Sequence, residues 1–436
     1  MAGDTIYALS TGSGASGIAV IRLSGPLAGP TLAGLCGKLP VPRYATFGWI
    51  RDPDTGERID SGVFLFFPAP RSFTGEDLAE MQVHGSLAVI RQILSCLSKL
   101  GGLRAAEAGE FTHRAFINGK MDLIEVEALG DLLAAETAAQ ARLARHYQKT
   151  LRAAAQRWRA SLLSILSLTE AYIDFSDEDD VGKHIDSQAE QEIATLTREI
   201  EDALAALATG ERIRRGFRIA VLGPPNAGKS SLVNALAARE VAITSTIPGT
   251  TRDAIDVHLD LKGLPVILTD TAGLRDSADA LENAGILRAQ QAAESADLVL
   301  WLTPASEKAT ACPYPDALAV RSKIDLIDSD AARQFPLAIS VETGAGLATL
   351  IDELHARAHR SLHVGAEAVI VVHERQAAEL RSAVEALSRA KASSADALEL
   401  RAEELRAACR NLDRLTGRIE YDEILGALFS RFCIGK

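Results

Sequence analysis

Hydrophobic and polar positions divide this chain into stretches of different period. Short apolar segments run from Gly17 to Leu23 and from Gly62 to Phe67 and predict strands, while Leu87 to Leu100 carries apolar residues at helical spacing. The first 118 residues therefore read as a small mixed α/β domain. From about Lys120 the period turns helical: Leu129, Leu132 and Leu133, then Leu162, Ile165 and Leu166, are spaced to line one face. The same character returns at Leu380, Val384 and Leu387 and at Leu405, Leu412 and Leu415. All fifteen prolines lie between Pro26 and Pro70 or between Pro224 and Pro336, so Arg71 to Gly223 and Leu337 to Lys436 hold no proline helix breaker. Two helical blocks thus flank a stretch of another kind. Because isolated helices must bury their apolar faces, the simplest account is one helical domain into which the middle stretch is inserted. The predicted domains are 1–118, 119–215, 216–365 and 366–436, the second and last forming the two parts of the helical domain. The five acids of Asp174-Phe-Ser-Asp-Glu-Asp-Asp180 lack the fixed spacing of a calcium loop and read as a solvated connector.

Composition narrows this picture. At 436 residues there is room for about three domains. A hydrophobic content of 47% excludes disorder. The net charge of -12 argues against a broad nucleic-acid surface, which needs clustered Lys and Arg, so any work on RNA is expected to pass mainly through a partner. Five cysteines, Cys36, Cys96, Cys312, Cys409 and Cys433, form no CxxC pair and suit a reducing compartment. MAGDTIYALS is not a basic segment followed by an apolar one, and no apolar run is long enough to span a membrane, so a cytoplasmic location is expected.

The chemistry sits in the middle stretch. The apolar run Ile219 to Leu222 leads into Gly223-Pro-Pro-Asn226-Ala227-Gly228-Lys229-Ser230-Ser231, followed by Leu232, Val233 and Leu236 at helical spacing. That is strand, phosphate loop and helix. Glycines let successive backbone N–H groups and a helix N-terminus face a polyphosphate, Lys229 adds a point charge, and Ser230 a hydroxyl for magnesium. Downstream, Ile247-Pro248-Gly249-Thr250-Thr251-Arg-Asp253 lies at switch-loop distance, where a threonine can complete magnesium coordination when the γ-phosphate is present. Ala254 to Leu261 and Val266 to Thr269 read as strands about a turn at Lys262 and Gly263. They lead to Asp270-Thr271-Ala272-Gly273, an acid for magnesium and a glycine for the γ-phosphate. In Ser322-Lys323-Ile324-Asp325 the Asp325 carboxylate can accept two hydrogen bonds from guanine, and the Lys323 stem can cover the ring; serine replaces the more usual asparagine at 322. Ser340-Val-Glu-Thr-Gly344 reads as a weaker base-contact loop. Leu274 follows Gly273, so no glutamine positions water there. That leaves Glu282 and Asn226 as candidates for organising hydrolysis, although from the residues alone Glu282 reads first as an acid in a helix's opening turn, where the helix dipole favours it. His355, His359 and His363 recur every four residues, but no suitably spaced acid or cysteine completes a metal set, and a basic helix is the better reading. The segment Pro304 to Asp316 looks too short and broken by proline for a full helix.

Together with GIAVIRLSG at Gly17 to Gly25, SFTGEDLAEMQVHG at Ser72 to Gly85, GEFTHRAFINGKMDL at Gly109 to Leu123, TAGLRD at Thr271 to Asp276 and FCIGK at Phe432 to Lys436, these motifs resemble the MnmE (TrmE) family of tRNA-modification GTPases over the whole chain. The resemblance implies α/β plus all-α architecture: an N-terminal folate-binding domain, then a helical domain interrupted by a P-loop GTPase domain. It implies a GTP/GDP-binding enzyme that works with an FAD-containing partner of the MnmG (GidA) type. Together they install a carboxymethylaminomethyl group on C5 of the wobble uridine, U34, of certain tRNAs, with a 5-formyl- or 5,10-methylene-tetrahydrofolate as one-carbon source. By position, Arg22, Glu80, Lys120 and Lys436 correspond to folate contacts, and Asn226, Ser245, Ile247 and Thr250 to ligands of a potassium ion that stimulates hydrolysis once two GTPase domains meet. Ser230 and Thr251 correspond to magnesium ligands, Ser245 to Thr251, with Thr246 among them, to a nucleotide-binding switch, and Glu282 to the catalytic glutamate. Cys433 lies in the motif that the family places near the folate, as a nucleophile or as a buried structural thiol. Homodimerisation through the N-terminal domain is implied as well. The alternatives are a GTP-regulated scaffold and a ribosome-assembly GTPase; the acidic balance and the FCIGK segment speak against the latter.

Overall fold

The computed structural model describes residues 3–12, 14–174, 179–238, 255–270, 282–307, 312–363, 369–393, 397–418, 428–429, 432 and 434–435, without the side chains of 174, 179–186, 255, 282–288, 329 and 363. It divides into two compact units, 1–130 with 413–436, and 131–412.

The first unit is built on β1 (Thr5–Leu9), β2 (Ser16–Ser24), α1 (Ala28–Cys36), β3 (Thr46–Arg51), β4 (Arg58–Phe67), β5 (Leu78–Gly85), α2 (Leu87–Lys99), β6 (Leu103–Ala105), α3 (Glu110–Ile117) and α4 (Leu123–Ala134). Six strands form one sheet in the order β3-β4-β5-β2-β1-β6, antiparallel except for β1 beside β6. Alternation assigns its two faces. Ile21, Leu23, Phe64, Phe66, Ala79, Met81 and Val83 face a core completed by Leu32 and Leu35 of α1 and Ile90, Ile93 and Leu97 of α2. Arg22 and Glu80 occupy the opposite face by the same alternation. A second, smaller cluster joins Phe116, Leu123 and Val126 to Phe429 and Phe432.

The second unit holds α5 (Ala138–Asp174), α6 (Asp179–Ala205), α7 (Leu207–Arg215), β7 (Phe217–Leu222), α8 (Lys229–Leu236), β8 (Ile255–Leu261), β9 (Leu264–Asp270), α9 (Glu282–Ser295), β10 (Leu298–Pro304), β11 (Leu318–Ser322), α10 (Ser329–Ala332), α11 (Leu347–His363), α12 (Glu374–Ala392) and α13 (Leu398–Thr416), which continues into the first unit. Its five strands run β11-β10-β7-β9-β8, all parallel but for β8. The sheet is nearly continuous Val, Ile and Leu, as strands covered on both faces require. At the turn joining β8 to β9, the Gly263 carbonyl accepts the Ala139 N–H of α5 at 3.1 Å, and Lys262 pairs with Asp352. Between β10 and β11 the described residues contain no helix, as the prolines foretold.

One expectation fails. Leu129 packs against the Phe116 cluster, but Leu132 and Leu133 are 37% and 48% exposed, because the last turn of α4 turns Asp131 inward instead, to the Tyr147 hydroxyl of α5 at 2.7 Å and the His373 ring at 2.8 Å. The connector foreseen from Asp174 to Asp180 falls between α5 and α6, and its residues 175–178 lie outside the described set.

Candidate functional site

The parallel strands of the second unit end together: β7 at Leu222, β9 at Asp270, β10 at Pro304 and β11 at Ser322. In open parallel sheets the crevice beyond those carboxyl ends is where ligands sit. The Gly223–Gly228 loop leaves β7 there and enters α8. Gly223, at φ 148°, passes so close to β10 that a Cβ would lie 2.1 Å from the Leu302 carbonyl oxygen, which excludes every other residue. Asn226 and Gly228 follow at φ 63° and 91°, left-handed conformations that turn the chain sharply into α8. Lys229 begins α8 and curls back, donating from Nζ to the Gly223 and Pro224 carbonyls at 3.0 Å each. Ser230 stands half-buried in the same first turn, and the Asn226 side chain is exposed and without a hydrogen bond among the described residues. Asp270 is 5% exposed at the end of β9, in register with Val221.

The Ser322–Asp325 turn and the Gly223–Gly228 loop are tied together. Ser322, 3% exposed, donates its hydroxyl to the carbonyl of Ala227, itself fully buried, at 2.7 Å. The serine that departs from the usual motif therefore holds the phosphate loop directly. Lys323 turns the chain at φ 57° into a short 3-10 turn, Ile324–Leu326, which leaves Asp325 exposed. The Ser340–Gly344 loop folds against it through the Ile324 N–H to Ile339 carbonyl bond and closes on itself through the Ser340 hydroxyl and the Thr343 N–H. Residues Ser245, Thr246, Ile247, Pro248, Gly249, Thr250 and Thr251, and Thr271, Ala272 and Gly273, lie outside the described residues. Glu282 opens α9, with only its backbone described. The histidine helix is α11, where the His355 and His359 rings lie 5.8 Å apart; burial and the Lys262 charge push the His355 pKa down, and the described residues contain no metal cluster.

The first unit carries its own polar site. Arg22 of β2 and Glu80 of β5 are register partners, joined from Nε and Nη2 to Oε1 at 3.0 and 2.8 Å, with side chains 15% and 17% exposed. The guanidinium lies over the rings of Phe73 and Phe111, 5.6 and 5.8 Å from their centroids. The loop that carries Phe73 also presents Gly75, whose Cβ would come within 3.2 Å of the Lys120 side chain. So one loop, Ser72 to Glu76, touches both the Arg22 pair and Lys120.

Sequence reading missed what anchors that loop. Ser24 hydrogen-bonds Thr74 and Glu76, Glu76 binds Arg114, and Arg114 also pairs with Asp4 and Glu110, which share Arg104. Burial pushes the Glu110 carboxyl up, but its bonds from Arg104, the Glu107 N–H and Arg114 outweigh this and leave it below the usual range. Burial acts against Asp4 too and is likewise overcome by Arg104 and Arg114.

Ile434 and Gly435 reach the same sheet. Ile434 bridges Ala108, the Gly435 carbonyl accepts the Ser10 hydroxyl at 3.1 Å, and Gly435, at φ 98°, lies flush against the Leu9 carbonyl. Leu9 pairs with Ile21 and Ala8 with Arg22, so Gly435 is seated one residue pair from Arg22. Cys433 and Lys436 lie outside the described residues.

Comparison with known proteins covers both units. A family model described as "GTP-binding protein TrmE N-terminus" matches residues 5–120, and one described as "MnmE helical domain" matches 123–433. Proteins named "tRNA modification GTPase MnmE" from Azorhizobium caulinodans, Beijerinckia indica and Rhodopseudomonas palustris are 48%, 47% and 47% identical, each over 99% of this chain and 99%, 96% and 99% of their own.

Proposed function

The chain belongs to the MnmE family of tRNA modification GTPases, and on that premise we propose that it couples GTP hydrolysis in the second unit to folate-dependent modification of tRNA. It is a GTPase, and the observation that carries the proposal is the phosphate loop wrapped around the Lys229 ammonium, with Asp270 and Ser322 at the neighbouring strand ends. GTP would displace the loop carbonyls from Lys229, whose charge then meets the β- and γ-phosphates, while Asp325 accepts the guanine N–H groups. Ser230 fits magnesium from the first turn of α8, with Thr251 as its second ligand, and that ion would neutralise phosphate charge. The unengaged amide of Asn226 fits potassium, with Ser245, Ile247 and Thr250, and that ion would supply positive charge where negative charge develops. Glu282 positions the attacking water in this reading.

In the first unit, Arg22, Glu80, Lys120 and Lys436 would hold a 5-formyl- or 5,10-methylene-tetrahydrofolate. A carboxylate suits the pterin N–H groups, and the cations suit its glutamate tail. The seat of Gly435 beside the Arg22 row supports a place for Lys436, and for Cys433, at that site. Exposed Phe47 and Trp49 on the edge strand β3, 70% and 43% exposed, support a homodimer through this unit. An FAD-containing MnmG-type partner would complete the chemistry, a carboxymethylaminomethyl group on C5 of U34. We retain 1–118, 119–215, 216–365 and 366–436 as the functional domains, and a cytoplasmic location; no helix among the described residues is long and apolar enough to cross a membrane.

The test is GTP turnover by the purified protein in potassium and in sodium at equal ionic strength, with Glu282→Ala beside it. Potassium-specific stimulation, and turnover reduced at least tenfold with GTP binding kept in Glu282→Ala, is the expected result. Equal rates in both salts would discard the potassium site, and undiminished turnover in Glu282→Ala would discard that residue's role.

A further inference from the structure

Helix α5 carries a charge pattern that the overall balance of the protein conceals. Between Glu136 and Glu170 there is no acidic residue, while Arg142, Arg145, Lys149, Arg152, Arg157 and Arg159 all fall in that interval, in a chain of net charge -12. The apolar side of the helix, Leu143, Ala144, Tyr147, Leu151, Ala154, Ala155 and Trp158, is buried. Arg142, Arg145, Lys149 and Arg152 are exposed on the other side. At about 100° and 1.5 Å per residue they fall within an arc of about 80° and form a straight stripe about 15 Å long.

A basic face kept only for solubility mixes its signs, as other helices of this unit do. Arg357 pairs with Glu353 on α11, Arg381 with Glu374 on α12, and Arg410 with Glu403 on α13. On α5, Arg142, Arg145 and Lys149 have no ion pair among the described residues. Leaving like charges three and four residues apart on one helix face is destabilising, a cost that a polyanion lying along the stripe would reverse.

We propose that this stripe binds the phosphate backbone of a tRNA stem. The inference rests on the tRNA-modifying reading above and adds to it a direct contact between RNA and this chain, where the net charge alone suggested contact through a partner. A row of cations one helical turn apart matches a repeating phosphate ladder and reads no bases, as expected of an element that positions the substrate while recognition lies elsewhere.

The experiment uses the full chain and a labelled, unmodified tRNA transcript, with affinity measured by fluorescence anisotropy from 50 to 200 mM salt. Four phosphate contacts contribute a slope of about -3 to -3.6 in log affinity against log salt, which is about a 50- to 150-fold loss over that range. The variant Arg142→Gln, Arg145→Gln, Lys149→Gln, Arg152→Gln keeps helix propensity and lies outside the nucleotide site, so its GTP turnover is unchanged. Its salt slope is shallower by about 3, whereas the charge-conserving variant Arg142→Lys, Arg145→Lys, Arg152→Lys keeps the parent slope. An unaltered slope in the Gln variant overturns the proposal. So does loss of co-elution with the FAD partner at an unaltered slope, which would assign the stripe to an acidic protein surface. Failure of the wider reading is seen separately, as absence of modified U34 when parent protein, partner and folate are combined.

Discussion

Ser322→Ala tests the strap between the Ser322–Asp325 turn, proposed above to read the base, and the phosphate loop. The hydroxyl is buried, its bond to the Ala227 carbonyl is 2.7 Å, and Ala227 is fully buried, so no bulk water reaches the acceptor once the donor is gone. Leaving such a carbonyl unpaired costs about 1–3 kcal/mol. Ala227 stands between Asn226 and Gly228, in the part of the loop held at positive φ, so this cost falls on the conformation that cradles phosphates. Expressed as affinity it amounts to a factor of about 5 to 150. The assay is titration of a fluorescent GDP analogue into Ser322→Ala, Ser322→Thr and the parent at fixed magnesium. Ser322→Thr keeps the hydroxyl and is expected to bind within about threefold of the parent. Preference for GDP over ADP stays in both, since Asp325 is untouched. If Ser322→Ala binds GDP within twofold of the parent, the strap carries no binding energy and the reasoning is refuted.

Gly435→Ala forces a Cβ to within 2.3 Å of the Leu9 carbonyl at a φ of 98°; folate affinity is expected to fall at least tenfold while GTP turnover stays, and unchanged folate titration would detach this segment from the Arg22 site. Cys433→Ser should leave GTPase activity intact and abolish U34 modification, read by nucleoside analysis of the tRNA, and normal modification would leave the thiol a structural role. Asp4 and Glu110 have folded-state pKa values below their unfolded ones, so their stabilisation is complete above the ordinary carboxylate range and is lost as pH falls through the depressed values. Melting of the first unit should therefore be level from pH 7 to 5 and drop below about pH 4. Glu110→Gln should lose about 2 kcal/mol at pH 7 and flatten that drop; an equally steep drop would place the acid sensitivity in other groups.

Local grammar was legible in the sequence and long-range pairing was not. Gly223, Gly228 and Lys229 declare a phosphate loop because strand, turn and helix are consecutive, and β8, the Lys262–Gly263 turn and β9 follow from alternation about two turn residues. Ser322 is 95 residues from Ala227, and no spacing rule connects a hydroxyl to a particular carbonyl at that distance. The same holds for Arg114, Glu76 and Asp4, where each residue alone reads as an ordinary surface charge. Periodicity also overreached at Leu132 and Leu133, since spacing says which residues share a face and not where the neighbouring element stops. Net charge says least about distribution: a total of -12 does not reveal that residues 137–169 hold six Arg and Lys and no acid.

The grouping of residues 413–436 with 1–130 bears on how the protein is made. The 282 residues from 131 to 412 are translated between the two segments, which at about 5–20 residues per second takes about 14–56 s. For that interval Phe116, Leu123 and Val126 have emerged from the ribosome without Phe429 and Phe432 to cover them. The nascent N-terminal unit therefore exposes that apolar surface for tens of seconds, and a chain that stops short of Phe429 leaves the cluster uncovered for good.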